Sequence, residues 1–237
     1  MVKLDMKLAV MQPYLLPYLG YFQLASSVDN FVIYDNIQYT KRGWINRNRY
    51  LRGGQPATFT VPLQQGSSDL EIRQRFIADN YNPEKLLNQF VEAYRKARFF
   101  DQTIDLLEQI LKCKHDNLFE FLHHSLQLLF QHFSIDTSLL VSSQISANHD
   151  EAGQARLISI CRAMQAKTYV NPVGGRELYA RKEFAKHGIQ LRFFQFAEHE
   201  YPQFSPAFVE RLSIIDALMF NSLDDVRALI NAGTTHD

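Results

Sequence analysis

Short apolar runs alternate with amphipathic stretches along most of this chain. Residues 7–11 (Lys-Leu-Ala-Val-Met) read as a buried strand, which Pro13 and Pro17 end because proline supplies no backbone donor to a ladder. Residues 19–28 set Leu19, Phe22 and Ala25 on one side at helical spacing, and residues 30–35 (Asn-Phe-Val-Ile-Tyr-Asp) form a second apolar run. The pattern predicts a β-α-β unit, two parallel strands joined by a right-handed crossover. Gly43 and the pair Gly53-Gly54 punctuate residues 36–56. Residues 57–63 and 71–78 then look like strands joined by a polar turn at 64–69, which predicts an added hairpin.

Asn82-Pro83 opens a helical region, with Leu86, Leu87, Phe90 and Tyr94 forming an apolar stripe behind a proline at the first helical position. Further helices are expected at 102–112 and 115–133, where Leu118, Leu122, Leu126, Leu129 and Phe133 recur every three or four residues. Alternation returns after residue 136: a strand at 138–142, a helix at 151–165, a strand at 168–171, a helix at 177–187, a strand at 189–196 and a helix-rich segment at 206–231. The expected fold is α/β, a mostly parallel sheet with helices on both faces and a helical insertion near residues 83–133. With no repeat or low-complexity linker in 237 residues, one domain spanning 1–237 is expected. Ligands of open parallel sheets bind at the carboxyl ends of the strands, which draws attention to the loop at 12–17, the segment after Asp35 and the loop at 171–176.

Charge narrows the partners. Lys plus Arg equals Asp plus Glu at 25 each, so no general nucleic-acid binding is expected and any anion site must be local. Cys113 and Cys161 are the only cysteines and show no metal-ligand spacing, which fits a reducing compartment. Around Lys3, Asp5 and Lys7 the opening residues hold only a short apolar run at 8–11, too short for a signal-peptide core. No stretch approaches the roughly 20 apolar residues of a membrane helix, so no membrane span and a cytoplasmic location are expected.

The densest chemistry lies between Asp35 and Arg52. It holds the sole tryptophan, Trp44, and the cations Lys41, Arg42, Arg47, Arg49 and Arg52, with no acid after Asp35. Guanidinium and ammonium groups suit phosphate or carboxylate, and aromatic faces suit a ring. An anionic, ring-bearing small molecule such as a sugar nucleotide is the ligand this suggests; a solvated hairpin with Trp44 packed on the core is the alternative. Candidate binding residues here are Gln38, Tyr39, Lys41, Trp44, Asn46, Arg47 and Asn48. Gln12 joins them from the proline-bounded loop, which presents a helix N-terminus but lacks the glycines of a Rossmann fingerprint or a P-loop. Gly174 and Gly175 would let backbone approach a ligand closely. Asp35 is one candidate proton-handling residue and His199, between Glu198 and Glu200, is the other.

Other chemistries have little support. Cys161 sits among Ile158, Ile160 and Met164 and reads as inert core, while His123 and His124 read as packing or surface residues of an apolar helix. No Gly-x-Ser-x-Gly, His-x-x-x-His or Cys-x-x-Cys spacing occurs, so no metal site is expected. Asp216, flanked by Ile214-Ile215 and Leu218-Met219-Phe220, is expected to be partly buried and paired with an arginine.

A resemblance now becomes specific. Met11-Gln12-Pro13, Leu16-Pro17, Gly20-Tyr21, Asp29, Phe31-Val32, Asp35, Gln38-Tyr39, Lys41, Trp44 and Asn46-Arg47-Asn48 resemble the opening signature of the WbqC-like family of bacterial surface-polysaccharide gene clusters. Arg156-Leu157-Ile158, Ile160-Cys161, Ala166, Tyr169, Leu178-Tyr179, Phe184, Gly188-Ile189, Tyr201-Pro202-Gln203 and residues 212–216 extend the similarity over nearly the whole chain. Asn171-Pro172-Val173-Gly174-Gly175 departs from the Ser-Gly-type loop of many relatives. The resemblance implies O-antigen or related glycan biosynthesis and acyl or aminoacyl transfer to an amino sugar or sugar nucleotide, with an acyl or aminoacyl donor as second partner. It names no cofactor. A noncatalytic protein that binds a sugar nucleotide, an acyl carrier or a partner enzyme of the same pathway is the competing class, supported by the lack of a recognisable nucleophile.

Overall fold

Residues 5–236 are described by the computed structural model; Lys3 lies outside them. The chain runs β1 (Lys7–Met11), α1 (Leu19–Ser26), β2 (Asn30–Ile33), β3 (Arg47–Arg52), β4 (Gln55–Thr60), α2 (Pro83–Tyr94), α3 (Phe100–Leu111), α4 (Leu118–Phe133), β5 (Ser138–Val141), α5 (Gly153–Ala163), β6 (Thr168–Pro172), α6 (Arg181–Lys186), β7 (Gln190–Gln195), α7 (Ile214–Phe220), α8 (Leu223–Ile230) and β8 (Thr234–His236). Six strands form one sheet in the order β5-β2-β1-β6-β7-β8, while β3 and β4 pair apart from it. The main sheet is parallel except for β8, which runs antiparallel to β7. The expected β-α-β unit is present: β1 pairs with β2 in parallel, Leu8 opposite Asn30 through Met11 opposite Ile33.

Period-two alternation sends neighbouring residues of each strand to opposite faces, and both faces are covered. Ala9, Phe31, Ile33 and Phe194 join the larger apolar cluster with α1, α7, α8 and the helices α2 to α4. Leu8, Val10, Val32 and Phe193 face α5 and α6, meeting Leu157, Ile160, Cys161 and Phe184. This double burial explains why the central strands read as continuous apolar runs. From β1 the chain passes through α1 to β2, later adding β5 beyond it; α5 then carries it back to β6 on the other flank of β1. The strand order therefore reverses between β1 and β6, the switch point where open α/β sheets leave a crevice. No described helix is long and apolar enough to cross a membrane.

The helical insertion has the expected start. Pro83 stands at its first helical position, and the Asn82 side chain accepts from the Lys85 N–H at 2.9 Å. Elsewhere the structure corrects the pattern. The hairpin is β3 with β4, turned at Gly53 and Gly54, whose φ values of 59° and 77° meet the two left-handed positions of a tight two-residue turn. Residues 71–78 are not a strand of that hairpin: Ile72–Gln74 is one 3-10 turn, and isolated contacts such as Leu63 with Ile77 hold the segment in place. The predicted helix at 177–187 is a 3-10 turn over Val173–Leu178 followed by the shorter α6. The segment from 206 becomes helical only at Ile214, and the edge strand β8 falls outside every predicted element.

Candidate functional site

The loop that leaves β1 lies at the switch point and is held from two sides. Trp44 O accepts from the Leu15 N–H at 3.1 Å, and the Asn48 amide donates to Leu15 O and Leu16 O, both at 2.9 Å. From the other side Ser213 Oγ donates to Leu16 O at 2.7 Å, and the Ile214 N–H donates to Pro17 O at 2.8 Å. Gln12 O accepts from the Tyr21 hydroxyl at 3.1 Å. Leu16 takes φ 45° and Arg211, just before Ser213, takes φ 56°; both are left-handed conformations that side chains with a Cβ adopt at a cost. The bonds on either side sustain them, so strained backbone brackets this loop.

On the β3 side, the guanidinium carbons of Arg47 and Arg49 lie 5.5 and 5.7 Å from the centre of the Trp44 ring. Arg49 also donates to Arg211 O at 3.1 Å, which brings the stack against the 210–213 segment. Neither arginine has a carboxylate partner among the described residues, and the Nε of each is buried without a hydrogen bond. Two like charges over one ring, with donors unspent, form a local field that favours an anion.

Beside this stack is a cleft of about 140 Å3 whose walls include Tyr18, Val173, Phe196, His199, Tyr201 and Arg211. Tyr18 meets Phe196 edge-on with centroids 5.6 Å apart. Gly20 permits that contact: a Cβ there would stand 2.5 Å from Tyr18 Cε2 and 2.8 Å from Phe196 Cδ1. Burial pushes the Tyr18 hydroxyl up to about 12; Tyr14 adds to the shift and Arg211 opposes it, so the phenol stays a neutral donor near neutral pH. His199 is exposed at the rim and makes no hydrogen bond among the described residues. Its neighbour Glu198 is engaged by Arg211 at 3.3 Å.

The remaining sequence-predicted residues gather beyond β2. Asp35 is 1% exposed, and its Oδ1 accepts from the Ser143 N–H at 2.9 Å, tying the end of β2 to the end of β5. Gln38 donates to Ser68 O at 2.8 Å. The Tyr39 hydroxyl donates to Asn46 Oδ1 at 2.7 Å, while Asn46 Nδ2 donates to Val61 O at 2.8 Å. Asn46 and Asn48 thus spend their amides bracing the chain. Lys41 is exposed and free of ion pairs among the described residues. Gly174 is open, whereas a Cβ at Gly175 would lie 2.2 Å from Asn171 Nδ2, so that glycine lets the loop fold over Asn171. The arrangement therefore brings Gln12, Trp44, Arg47 and Asn48 to the switch-point loop and His199 to the adjoining cleft. Asp35, Gln38, Tyr39 and Asn46 belong to a neighbouring network.

Several residues here had no sequence signal. His149 sits between Asn36 Nδ2, 3.1 Å from its Nδ1, and Ile145 O, 2.9 Å from its Nε2; the carbonyl assigns the proton to Nε2. Arg156, which the sequence marked only through the family resemblance, donates to Asn36 O at 2.9 Å and lies 4.9 Å from the Tyr34 ring centre. Asn36 Oδ1 and Ser142 Oγ are buried without partners. Tyr18 follows the proline-bounded loop directly and carries no signal of its own in the sequence. His123 stacks on Phe119, in keeping with its packing reading, and burial lowers its pKa. The expected arginine partner of Asp216 is replaced: its carboxylate accepts from the hydroxyls of Tyr94 at 2.9 Å and Tyr201 at 3.0 Å, and from Gln203 Nε2 at 2.6 Å. Among the described residues no three of His, Cys, Asp and Glu gather as metal ligands would.

A profile described as the WbqC-like protein family matches residues 12–228, beginning at the switch-point loop. A protein of Mycobacterium tuberculosis (strain ATCC 25618 / H37Rv) that bears the name uncharacterized protein Rv1507c is 32% identical over 219 residues, covering 91% of this chain and 93% of its own length.

Proposed function

The chain belongs to the WbqC-like protein family, and from that premise we propose that it is a cytoplasmic group-transfer enzyme of bacterial surface-glycan biosynthesis. It moves an acyl or aminoacyl group from an activated donor to an amino sugar or sugar nucleotide. The observation that carries this reading is the stack of Arg47 and Arg49 on Trp44, two guanidinium groups without a carboxylate partner, set beside a small aromatic cleft. In it Arg47 and Arg49 hold the phosphates, Trp44 flanks a ring, Lys41 adds a cation at the approach and the Gln12 amide binds a hydroxyl. The cleft walled by Tyr18 and Phe196 receives the group being moved. His199 takes the proton from the attacking amine as the amide bond forms and the donor's thioester C–S bond breaks, and passes it to the departing thiolate; it does so in preference to Asp35, whose burial and bond to Ser143 occupy it structurally. Holding both reactants at one edge supplies much of the acceleration if the donor is already activated.

A charge-assisted hydrogen bond contributes about 1.5–3 kcal/mol, so Arg47→Gln and Arg49→Gln should each weaken a nucleotide-sugar ligand by roughly ten- to a hundredfold. Titration calorimetry across a panel of nucleotide sugars checks this, and variants that bind the best ligand as the parent does would remove the phosphate role. Mass spectrometry of mixtures with acyl and aminoacyl thioesters tests transfer: His199→Gln should retain binding and lose turnover. One observation favours a noncatalytic binder of the same ligand, namely that His199 has no hydrogen-bond partner to orient it among the described residues. Binding without turnover across the whole donor panel would select that reading.

A further inference from the structure

The other face of the sheet carries a second concentration of unpaired cations. Phe193 of β7 is 2% exposed and packs toward α5 and α6, on the opposite side from Phe194 and the Tyr18–Phe196 cleft. The guanidinium carbons of Arg176 and Arg181 lie 5.2 and 5.3 Å from its ring centre. Arg176 comes from the turn that leaves the carboxyl end of β6, and Arg181 opens α6. Neither has a carboxylate partner among the described residues, in a chain whose acids equal its bases in number. Lys182 lies beside them, and Glu183, the one acid in the same lining, is taken by Lys186 at 2.8 Å.

An aromatic ring satisfies the face of a guanidinium and leaves its N–H donors available. Two such groups converge here on one ring and line a shallow, open depression of about 740 Å3. Tyr179 also lines it; burial raises the pKa of its hydroxyl, which therefore stays protonated and has no bonded partner among the described residues. We propose that this depression binds the pyrophosphate of a nucleoside diphosphate. Arg176 and Arg181 grip the two phosphoryl groups, Lys182 adds charge, and Tyr179 donates to the ligand. This site is separate from the Trp44 stack and stands whether or not that stack binds a sugar nucleotide.

The test uses the full chain with pyrophosphate and with ADP. Calorimetry should show binding of both, weakened at least about tenfold by Arg176→Gln and by Arg181→Gln and reduced by high salt. Hydrogen exchange should slow at residues 173–182 when ADP is added, and Arg47→Gln should leave that local protection unchanged. Absence of binding at millimolar probe overturns the proposal, as does parent-like affinity in both arginine variants. Protection confined to residues 12–18 and 44–49 overturns it too, because the probe would then sit on the Trp44 stack. Arg176 is exposed in a turn, so its variant decides the matter if Arg181→Gln fails to fold.

Discussion

Asp216 shows how one buried residue fixes distant segments. Its carboxylate takes donors from Tyr94 on α2 and from Tyr201 and Gln203 in the irregular run before α7. Asp216→Ala takes the acceptor from the buried Tyr94 hydroxyl and from the half-buried Tyr201 and Gln203, and should cost about 3 kcal/mol, measured by urea unfolding. Burial raises the Asp216 pKa above its ordinary 3.8, with the three hydrogen bonds opposing the shift. A raised folded value means that the contribution to stability is complete below the ordinary value and is lost as pH rises through the folded one. The parent's advantage over Asp216→Asn should therefore shrink as pH rises above about 3.8; an advantage that widens would show that the hydrogen bonds outweigh burial. The burial of this residue was legible from its apolar flanks. Its partners were not, because phenols 122 and 15 positions away carry no local signal. Gly20 is a second point of control, since Gly20→Ala would press a methyl into Tyr18 and Phe196. Overpacking of this kind costs about 1–3 kcal/mol, set against up to about 1 kcal/mol gained in helix propensity. A lowered melting temperature is the expected result, and an unchanged one would show that the cleft wall yields.

At the scale of elements, β3 decides what the basic segment means. Successive side chains of a strand point to opposite faces, so Arg47 and Arg49 go together to Trp44 while Asn48, between them, turns to the buried backbone of the switch-point loop. In the sequence these residues formed one polar cluster, and its strand was hidden because Arg-Asn-Arg-Tyr-Leu-Arg carries an asparagine where alternation expects an apolar side chain. The strands β1 and β2 were legible because burial on both faces gives each a continuous apolar run, Leu8 to Met11 and Phe31 to Ile33, and β6 and β7 from the shorter pairs Tyr169-Val170 and Phe193-Phe194. Asn48→Ala should cost about 2–3 kcal/mol by leaving Leu15 O and Leu16 O without that donor, and should loosen the loop as well. The hairpin turn gives a sharper contrast. Gly54→Val places a β-branched side chain at φ 77°, with its Cβ 3.3 Å from Phe204 O, and should destabilise by about 1–2 kcal/mol or more. Gly53→Asn, a residue that tolerates a left-handed turn position, should be nearly neutral. Equal losses from the two changes, read from urea midpoints, would contradict this turn geometry.

Across the whole molecule, the helical insertion and the parallel sheet share their apolar interior. Phe22 of α1 touches Phe130 and Phe133 of α4 edge-on, and Phe31 of β2 also meets Phe130. Backbone and side-chain bonds continue the joint: the Leu51 N–H donates to the Tyr94 hydroxyl, the Phe99 N–H to Met219 O, and Thr103 Oγ1 to Leu218 O. Removing α2, α3 and α4 would expose one side of the sheet and orphan these groups, so neither part has a closed core of its own. The expectation is one cooperative unfolding transition rather than two. The sole tryptophan makes this measurable, because Trp44 lies at the switch-point site while most helical signal comes from elsewhere. Tryptophan fluorescence and far-ultraviolet circular dichroism followed through the same urea titration should give coincident curves with one midpoint. An early fluorescence change with the helical signal intact would mean that β3 and its stack open as a separate unit. A late helical transition would mean that the insertion survives by itself, and the one-domain reading would have to be given up.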